Sequence, residues 1–312
     1  MSALLTTHQF LPTMASIMFK LALHSVSYAG VWPGQACLTL EQFIPKAARL
    51  GFDAVMLMAK RPHLSLLDMT SAARAEVKKL AEDNGVRIAV IAGYNDFAAG
   101  GDVPDVPLRE MQVYYMGELA RLAADLGCPL VRVFTSFERE TTSPAIAWNQ
   151  TVLCLREAAK RAADFGVTLG VQNHHDLAVH PDSLADLLSE IGEPNCKACF
   201  DAWAPALQGV DLTQAVQRMA PWLAHTTVAD YVRRPRFQYL PCLVNYAPRP
   251  EMVRAVPMGR GFIDYPAFFR ALGQASYSGY VAYEMCSPLE GGGSESNLDR
   301  CAAAFISYMH EL

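Results

Sequence analysis

One phrase recurs four times between residues 40 and 173: an amphipathic segment, a glycine, one or two further residues and a short apolar run. The amphipathic segments are Leu40 to Leu50, Ser71 to Asn84, Leu108 to Leu126 and Ala145 to Phe165, and the glycines are Gly51, Gly85, Gly127 and Gly166. Apolar residues at helical spacing that end at a glycine are typical of a helix with a left-handed C-terminal cap. The phrase therefore predicts helices that alternate with strands.

Short β-type runs continue this alternation along the whole chain. We count eight of them: Lys20 to Ser25, Ala54 to Met58, Arg87 to Ala92, Leu130 to Thr135, Thr168 to Asn173, Ala198 to Asp201, Ala224 to Ala229 and Tyr280 to Glu284. Eight strand–helix units are the number that closes a (β/α)8 TIM barrel, and no GxGxxG follows the first run to favour a dinucleotide-binding sheet. We predict an α/β protein with a single barrel domain over residues 18–312, after an N-terminal tail over residues 1–17.

Composition disfavours several classes of protein. Hydrophobic residues make up 52% of the chain and charged residues 18%, which is enough apolar material for a large core. The net charge of −5 comes from interspersed residues, so we expect no nucleic-acid partner. No apolar run approaches the roughly 20 residues of a membrane span, and the N-terminal stretch lacks a signal-peptide pattern. Eight scattered cysteines, with no need for disulfides in a chain of this size, predict a cytoplasmic protein.

Two long connections follow the seventh and eighth runs. They extend from Tyr231 to Ile263 and from Cys286 to Asn297. In a barrel such loops lie on the C-terminal face, where active sites form, and each could fold over a bound ligand. The first is rich in aromatic residues, among them Tyr231, Phe237, Tyr239 and Tyr246. Because exposed aromatic side chains are enriched at interfaces, we predict a homodimer.

Polar and ionisable residues stand at the ends of several apolar runs, where an unpaired charge is costly to bury. The main ones are Gln172, His174, Asp201, His225, Thr227 and Glu284. The ends of parallel barrel strands converge on one mouth, and carboxylate, amide and imidazole groups are ligands of Mn²⁺, Mg²⁺ and Zn²⁺. The pattern predicts a divalent-metal site, and the alternative is that each residue is a separate, hydrogen-bonded strand end.

Five phrases carry a resemblance to a known family. They are LGFDAVMLM, VTLGVQNHHD, CFDAWAP, LAHTTVADYVR and VPMGRGFIDYPAFFRALGQASYSGYVAYE. With them the chain resembles, over nearly its whole length after Ile17, the xylose-isomerase-like TIM-barrel superfamily of sugar isomerases, epimerases and dehydratases. The resemblance implies a divalent ion (Mn²⁺, Mg²⁺, Co²⁺ or Zn²⁺) held by a Glu, an Asp, a His and a Glu after strands five to eight.

The family's ligand positions carry over unequally to this chain. Asp201 and Glu284 match directly, whereas Gln172 stands where a Glu is expected and Thr227 where a His is expected. His225 lies two residues before Thr227 on the same face of the strand. The resemblance therefore implies Gln172, Asp201, His225 and Glu284 as metal ligands. The alternative is a weakened or absent metal, because one negative charge is missing.

The same departures bear on the reaction. A glutamine cannot take a proton, so the paired-glutamate machinery of the epimerases is incomplete here. We predict that His174 acts as the general base and Glu284 as a further catalytic residue, with a cation stabilising the enolate. Proton abstraction beside a carbonyl, followed by β-elimination from a keto-sugar such as a 3-keto-glycoside, is the leading hypothesis. The alternatives are a sugar isomerase or epimerase and a non-catalytic sugar-binding barrel.

Further residues at or just beyond the early strands, and one on the long seventh connection, are candidates for binding the hydroxyls of a small carbohydrate-like substrate. They are Arg132, Arg233, His24, His63 and Asn95. For each of them the alternative interpretation is a solvated or structurally hydrogen-bonded side chain.

Overall fold

A computed structural model describes residues 19–100 and 105–312 of the chain. The predicted tail over residues 1–17 lies outside these residues. The strands are β1 Lys20–His24, β2 Ala54–Met58, β3 Arg87–Ala92, β4 Leu130–Val133, β5 Thr168–Gln172, β6 Cys196–Cys199, β7 Leu223–Val228, β8 Asp230–Leu240, β9 Asn245–Val256 and β10 Tyr280–Tyr283. The helices are α1 Leu40–Leu50, α2 Ser71–Asp83, α3 Leu108–Asp125, α4 Pro144–Ala163, α5 Pro181–Ile191, α6 Trp203–Leu207, α7 Leu212–Met219, α8 Tyr265–Gln274 and α9 Glu295–His310.

Eight parallel strands form a closed barrel in the order β1-β10-β7-β6-β5-β4-β3-β2. Each of the eight predicted runs supplies one barrel strand, and the TIM-barrel prediction is confirmed. The four predicted helix ends also hold: Gly51, Gly85, Gly127 and Gly166 all adopt positive φ, and the Gly51 N–H bonds the carbonyls at the end of α1. The sixth strand begins at Cys196, slightly earlier than predicted.

The main core lies between the barrel and its helices, and a second apolar cluster lies inside the barrel. Five alanines belong to this inner cluster: Ala22, Ala54, Ala89, Ala92 and Ala282. At one point the strands approach so closely that a Cβ added to Gly170 on β5 would lie 2.3 Å from the Cys199 Sγ. Small residues inside the barrel thus leave room for larger polar side chains at its mouth.

The first long connection is a β-hairpin, not an irregular loop. Strands β8 and β9 pair antiparallel from Asp230 and Val256 to Leu240 and Asn245. Most of the hairpin is exposed, including Phe237, Tyr239 and Tyr246. Tyr231 does not share this exposure, contrary to the expected interface role, because it is buried and stacks on Trp203 with ring centroids 4.6 Å apart.

The cysteines and the character of the helices also bear on the predictions from composition. All eight cysteines have free thiols. Among residues 19–100 and 105–312, no helix has the length and apolar character needed to cross a membrane.

Candidate active site

A cavity of about 520 Å³ opens at the mouth formed by the carboxyl ends of the barrel strands. Six of the residues singled out from the sequence line it: His24, Asn95, Arg132, Gln172, His174 and Glu284. They come from β1, β4 and β5 and from the loops after β3, β5 and β10. The closed barrel thus brings together side chains that are up to 260 positions apart in sequence.

Asp201 is anchored by two neighbouring residues at the end of β5. The Gln172 Nε2 donates to the Asp201 Oδ2 at 2.7 Å, and the Asn173 side chain bonds both the N–H and the carbonyl of Asp201. Burial raises the pKa of the Asp201 carboxyl to about 7, and the negative charge of Glu284 adds to the effect. The hydrogen bond from Gln172 and the charge of Arg132 partly offset this rise.

Glu284 follows β10 directly, and its backbone N–H donates to the Val228 carbonyl. The side chain is half-buried and lines the cavity, with the Cys286 Sγ 3.6 Å from its Oε1. Burial raises the pKa of this carboxyl, and the charge of Arg132 offsets part of the rise. A carboxylate with a raised pKa is a stronger base than an ordinary surface carboxylate.

Arg132 brings a buried positive charge into the cavity, with only 3% of the residue exposed. Its Nη1 donates to the Gly93 carbonyl at 2.9 Å, and its guanidinium lies 3.9 Å from the Phe134 ring centroid and 5.0 Å from that of Tyr94. Within the described part of the chain it has no ion-pair partner, and its Nε has no hydrogen-bond partner. This charge lowers the pKa of several imidazoles around it, including that of His174.

His174 and His175 form a coupled pair at the rim of the cavity. The His174 Nδ1 accepts the backbone N–H of His175 at 2.7 Å and lies 2.7 Å from the His175 Nδ1. The His175 ring stacks against Phe134 and Phe137 with centroids 4.1 Å and 4.0 Å away. Burial lowers the pKa of His174 to about 4, followed in size by the charges of His175 and Arg132, so the ring is neutral at pH 7.

The hydrogen bonds of His174 assign its tautomer. Because Nδ1 accepts a backbone N–H, the proton of the neutral ring belongs on Nε2. In that form Nε2 is a hydrogen-bond donor and has no free lone pair with which to take a proton. The arrangement therefore favours a donor role for His174 over the general-base role expected from the sequence.

Besides Arg132, two predicted substrate-binding residues line the cavity, and they differ in what their polar atoms can do. The Asn95 amide bonds the backbone N–H and carbonyl of Phe134, so it shapes the wall of the cavity. The Nδ1 of His24 accepts the N–H of Val26, and burial holds the pKa of this imidazole well below its usual range.

Four predicted site residues are absent from the lining of this cavity: Asp201, which accepts a hydrogen bond from the lining residue Gln172, and His63, Arg233 and His225. The His63 Nε2 bonds the Leu38 carbonyl at 3.1 Å. Arg233 is exposed on the hairpin, where its guanidinium lies 4.6 Å from the Phe262 ring and 3.4 Å from Glu251. His225 is 1% exposed, its Nε2 has no partner among the described residues, and burial lowers its pKa to about 3.

The comparisons with known proteins agree with this architecture. The family model described as xylose isomerase-like TIM barrel matches residues 44–303. The chain belongs to the xylose isomerase-like TIM barrel family.

Individual relatives share between 16% and 26% of their residues with this chain. A 2-epi-5-epi-valiolone 7-phosphate 2-epimerase from Actinoplanes sp. is 26% identical over 181 residues, which span 57% of this chain and 63% of that protein. The structure is similar to that of a D-psicose 3-epimerase with D-tagatose from Clostridium cellulolyticum H10, with a TM-score of 0.74, 19% identity and coverage of 94% and 98% of the two chains. It is also similar to a probable 3-DHS dehydratase from Bacillus anthracis, with a TM-score of 0.70, 16% identity and coverage of 93% and 98%.

The side chains at the metal-ligand positions expected for this xylose isomerase-like barrel do not form a complete ligand set. Within residues 19–100 and 105–312, no three His, Cys, Asp or Glu side chains are grouped to hold a metal ion. The nitrogen of the Gln172 amide faces Asp201, so its oxygen is turned away from that carboxylate. A buried guanidinium already acts on both carboxyls. These residues fit a divalent ion poorly, and the predicted cofactor stays a prediction.

Sequence reasoning missed two aspects of the site in this family member. Cys286 lines the cavity beside Glu284, and its spacing of two residues from Glu284 was the available signal. The stacking of His175 between Phe134 and Phe137 had no local signal, since it joins residues from two different strand-end loops.

Proposed function

We propose that this chain is an enzyme that removes a proton from the carbon beside the carbonyl of a small keto-sugar or polyol ketone, and that β-elimination follows. The observation that carries the proposal is the juxtaposition of the Glu284 carboxylate and the Arg132 guanidinium in one cavity. One group can take a proton, and the other can stabilise the negative charge left on the substrate.

Glu284 is the base in this proposal. Two carboxylates line the cavity, Asp96 and Glu284, and Asp96 is paired with Arg139 and accepts backbone N–H groups. Burial raises the pKa of Glu284, which strengthens it as a base while leaving it beside a positive charge. His174 presents its Nε2–H as a donor to the carbonyl oxygen, where negative charge develops.

A single base favours elimination over epimerisation. The C–H bond breaks as its proton passes to Glu284, and the electron pair forms the enolate. The enolate collapses and expels the group on the β-carbon, and the Glu284 carboxyl returns its proton to the departing oxygen. Epimerisation requires a second proton donor on the opposite face, and Gln172 cannot fill that role. The names of the relatives include epimerases and a dehydratase, and each of these reactions breaks a C–H bond or expels water.

The test is incubation of the purified protein with 3-keto-glycosides and with free ketoses in D₂O, with and without Mn²⁺. Release of the aglycone without isomerised sugar supports the lyase. Interconversion of ketoses with deuterium incorporation supports the epimerase alternative instead. Glu284→Gln should lower kcat by about 10² to 10⁴, the range for loss of a general base. Glu290→Gln is the matched control, because Glu290 pairs with Arg260 at the surface outside the cavity.

Three further features belong to the proposal. We propose that the protein acts as a homodimer, supported by the exposed aromatic side chains of the hairpin, and in the cytoplasm, supported by its free thiols. The predicted divalent ion enters no step above. Elemental analysis of the purified protein decides whether one is bound.

A further inference from the structure

We infer that the Arg132 guanidinium supplies the positive charge that steadies the enolate, in the role that the family resemblance assigns to a divalent cation. The inference rests on the proposed function for the reaction that it serves. Its physical basis is a charged side chain whose position, contacts and free donors are all suited to an anion in the cavity.

The register of the barrel puts Arg132 under the expected metal position. Arg132 on β4 pairs with Gly170 on β5, and Gln172 follows two residues later on the same face of that strand. The Cys199 Sγ fills the space beside Gly170, whereas Ala92, which pairs with Arg132 on the other neighbouring strand, is small and leaves the guanidinium space on that side. Gln172 and Arg132 both line the cavity.

The net charge of the residues at this site equals the net charge that the resemblance implies for a metal-loaded site. At the positions that the resemblance implies, two glutamates and an aspartate around a divalent ion would leave one net negative charge. In this chain Gln172 replaces one glutamate, and Asp201 and Glu284 in their ionised forms, together with Arg132, again leave one net negative charge. A second, divalent cation would have to approach against the guanidinium with one fewer carboxylate to hold it.

The surroundings of Arg132 hold the guanidinium without neutralising it. The Phe134 and Tyr94 rings cover its faces, and the Gly93 carbonyl accepts one N–H. Cation–π contacts and one carbonyl stabilise a buried guanidinium but leave its full charge in place. The carboxyls of Asp201 and Glu284 feel this charge, but within the described residues none forms a direct ion pair with it. Burying a charge without a direct ion pair is costly, and such sites are typical of functional positions.

Arg132 also keeps donors for a ligand. A guanidinium has five N–H groups, of which one bonds the Gly93 carbonyl and another the Tyr94 hydroxyl. The remaining fork matches two oxygen atoms on one planar group, such as the enediolate of a deprotonated hydroxyketone. The ligand chemistry expected at this residue is therefore a planar oxyanion with two adjacent oxygens.

The experiment measures binding of oxalate, a planar dianion that resembles an enediolate, by calorimetry on chelator-treated protein. The wild type should bind oxalate without added metal, and Arg132→Met should weaken the Kd by at least about tenfold, as expected for a charged hydrogen bond. Arg132→Lys, which keeps the charge but loses the fork, should lie between them. Lys60→Met is the control, because the Lys60 Nζ lies 3.9 Å over the same Tyr94 ring but outside the lining of the cavity.

Absence of oxalate binding, binding that needs Mn²⁺, or equal affinity in wild type and Arg132→Met overturns the inference. Thermal melting verifies that each variant is folded, and if Arg132→Met does not fold, a weakening of at least about threefold in Arg132→Lys supports the inference and an unchanged Kd overturns it. Oxalate binding requires no turnover. Failure of the proposed reaction with intact, Arg132-dependent oxalate binding therefore overturns the function alone.

Discussion

The side-chain amide of Gln172 donates a 2.7 Å hydrogen bond to the carboxylate of Asp201. This bond joins two of the four residues that the family resemblance implies as metal ligands. The bond turns the donor end of the amide toward the Asp201 carboxylate. A glutamate at position 172 would instead place a second negative charge beside that carboxylate. The pair is thus a direct probe of whether this site accommodates a cation.

Gln172→Glu should convert the pair into a metal site. Without metal, two carboxylates within 2.7 Å repel each other, and we expect the melting temperature at pH 8 to fall by several degrees. Added Mn²⁺ should recover the loss in the variant and have little effect on the wild type. Differential scanning fluorimetry with and without Mn²⁺ measures both effects, and exposed Gln217→Glu is the control. A large Mn²⁺-induced rise in the wild type would contradict the prediction.

His174 should act as a hydrogen-bond donor. We expect His174→Ala to lower kcat by about 10² to 10³, the range for loss of an oxyanion donor, and His174→Gln to recover part of the loss because its amide still donates. A general base could not be replaced by glutamine. The tautomer can be read directly from ¹⁵N NMR of the ring, where Nε2 should carry the proton at pH 7. A proton on Nδ1, or equal loss in both variants, would restore the general-base hypothesis.

His63 should make the protein sensitive to acid. Burial lowers its folded pKa below the usual 6.5. Below pH 6.5 the imidazole binds a proton in the unfolded chain but not in the folded protein. The contribution of the neutral ring to the free energy of unfolding is therefore complete above that pH and is lost as the pH falls toward the folded pKa. His63→Gln should remove up to about 1.4 kcal/mol per pH unit of this slope. Urea unfolding at pH 7 and pH 5 measures the change, with the exposed His310→Gln as control. An unchanged slope would mean that His63 titrates equally in both states.

The hairpin should carry the homodimer interface. Phe237 and Tyr246 are 63% and 64% exposed on one hairpin, and several exposed aromatic side chains on one element are typical of interfaces. Phe237→Ser with Tyr246→Ser should convert the dimer to a monomer in light scattering coupled to size exclusion. Tyr114→Ser, at 64% exposure on α3, is the control and should leave the mass unchanged. A monomeric wild type would end this hypothesis.

Local patterns in the sequence sufficed for the barrel. Helical periodicity, glycine at left-handed positions and short apolar runs are properties of neighbouring residues, and Gly51 and the strand Ala54–Met58 could be read from a few positions each. Strand ends of a parallel barrel must meet, so Gln172 and Glu284 could be placed at one mouth without coordinates. The sequence did not predict the hairpin of β8 and β9, because its Arg- and Pro-rich strands lack the apolar alternation of a buried sheet.

The roles of the polar side chains were decided by tertiary contacts. The amide orientation of Gln172 depends on Asp201, which is 29 positions later, and the tautomer of His174 depends on a backbone turn at His175 with φ of 69°. The unpaired charge of Arg132 depends on rings and carbonyls from two strand ends. The sequence determined which chemical groups reach the mouth, because the residues at the carboxyl end of each strand can be identified from the local pattern. Packing in three dimensions decided which of them hold each other and which remain free for a substrate, because those energies arise only between groups that the closed barrel brings into contact.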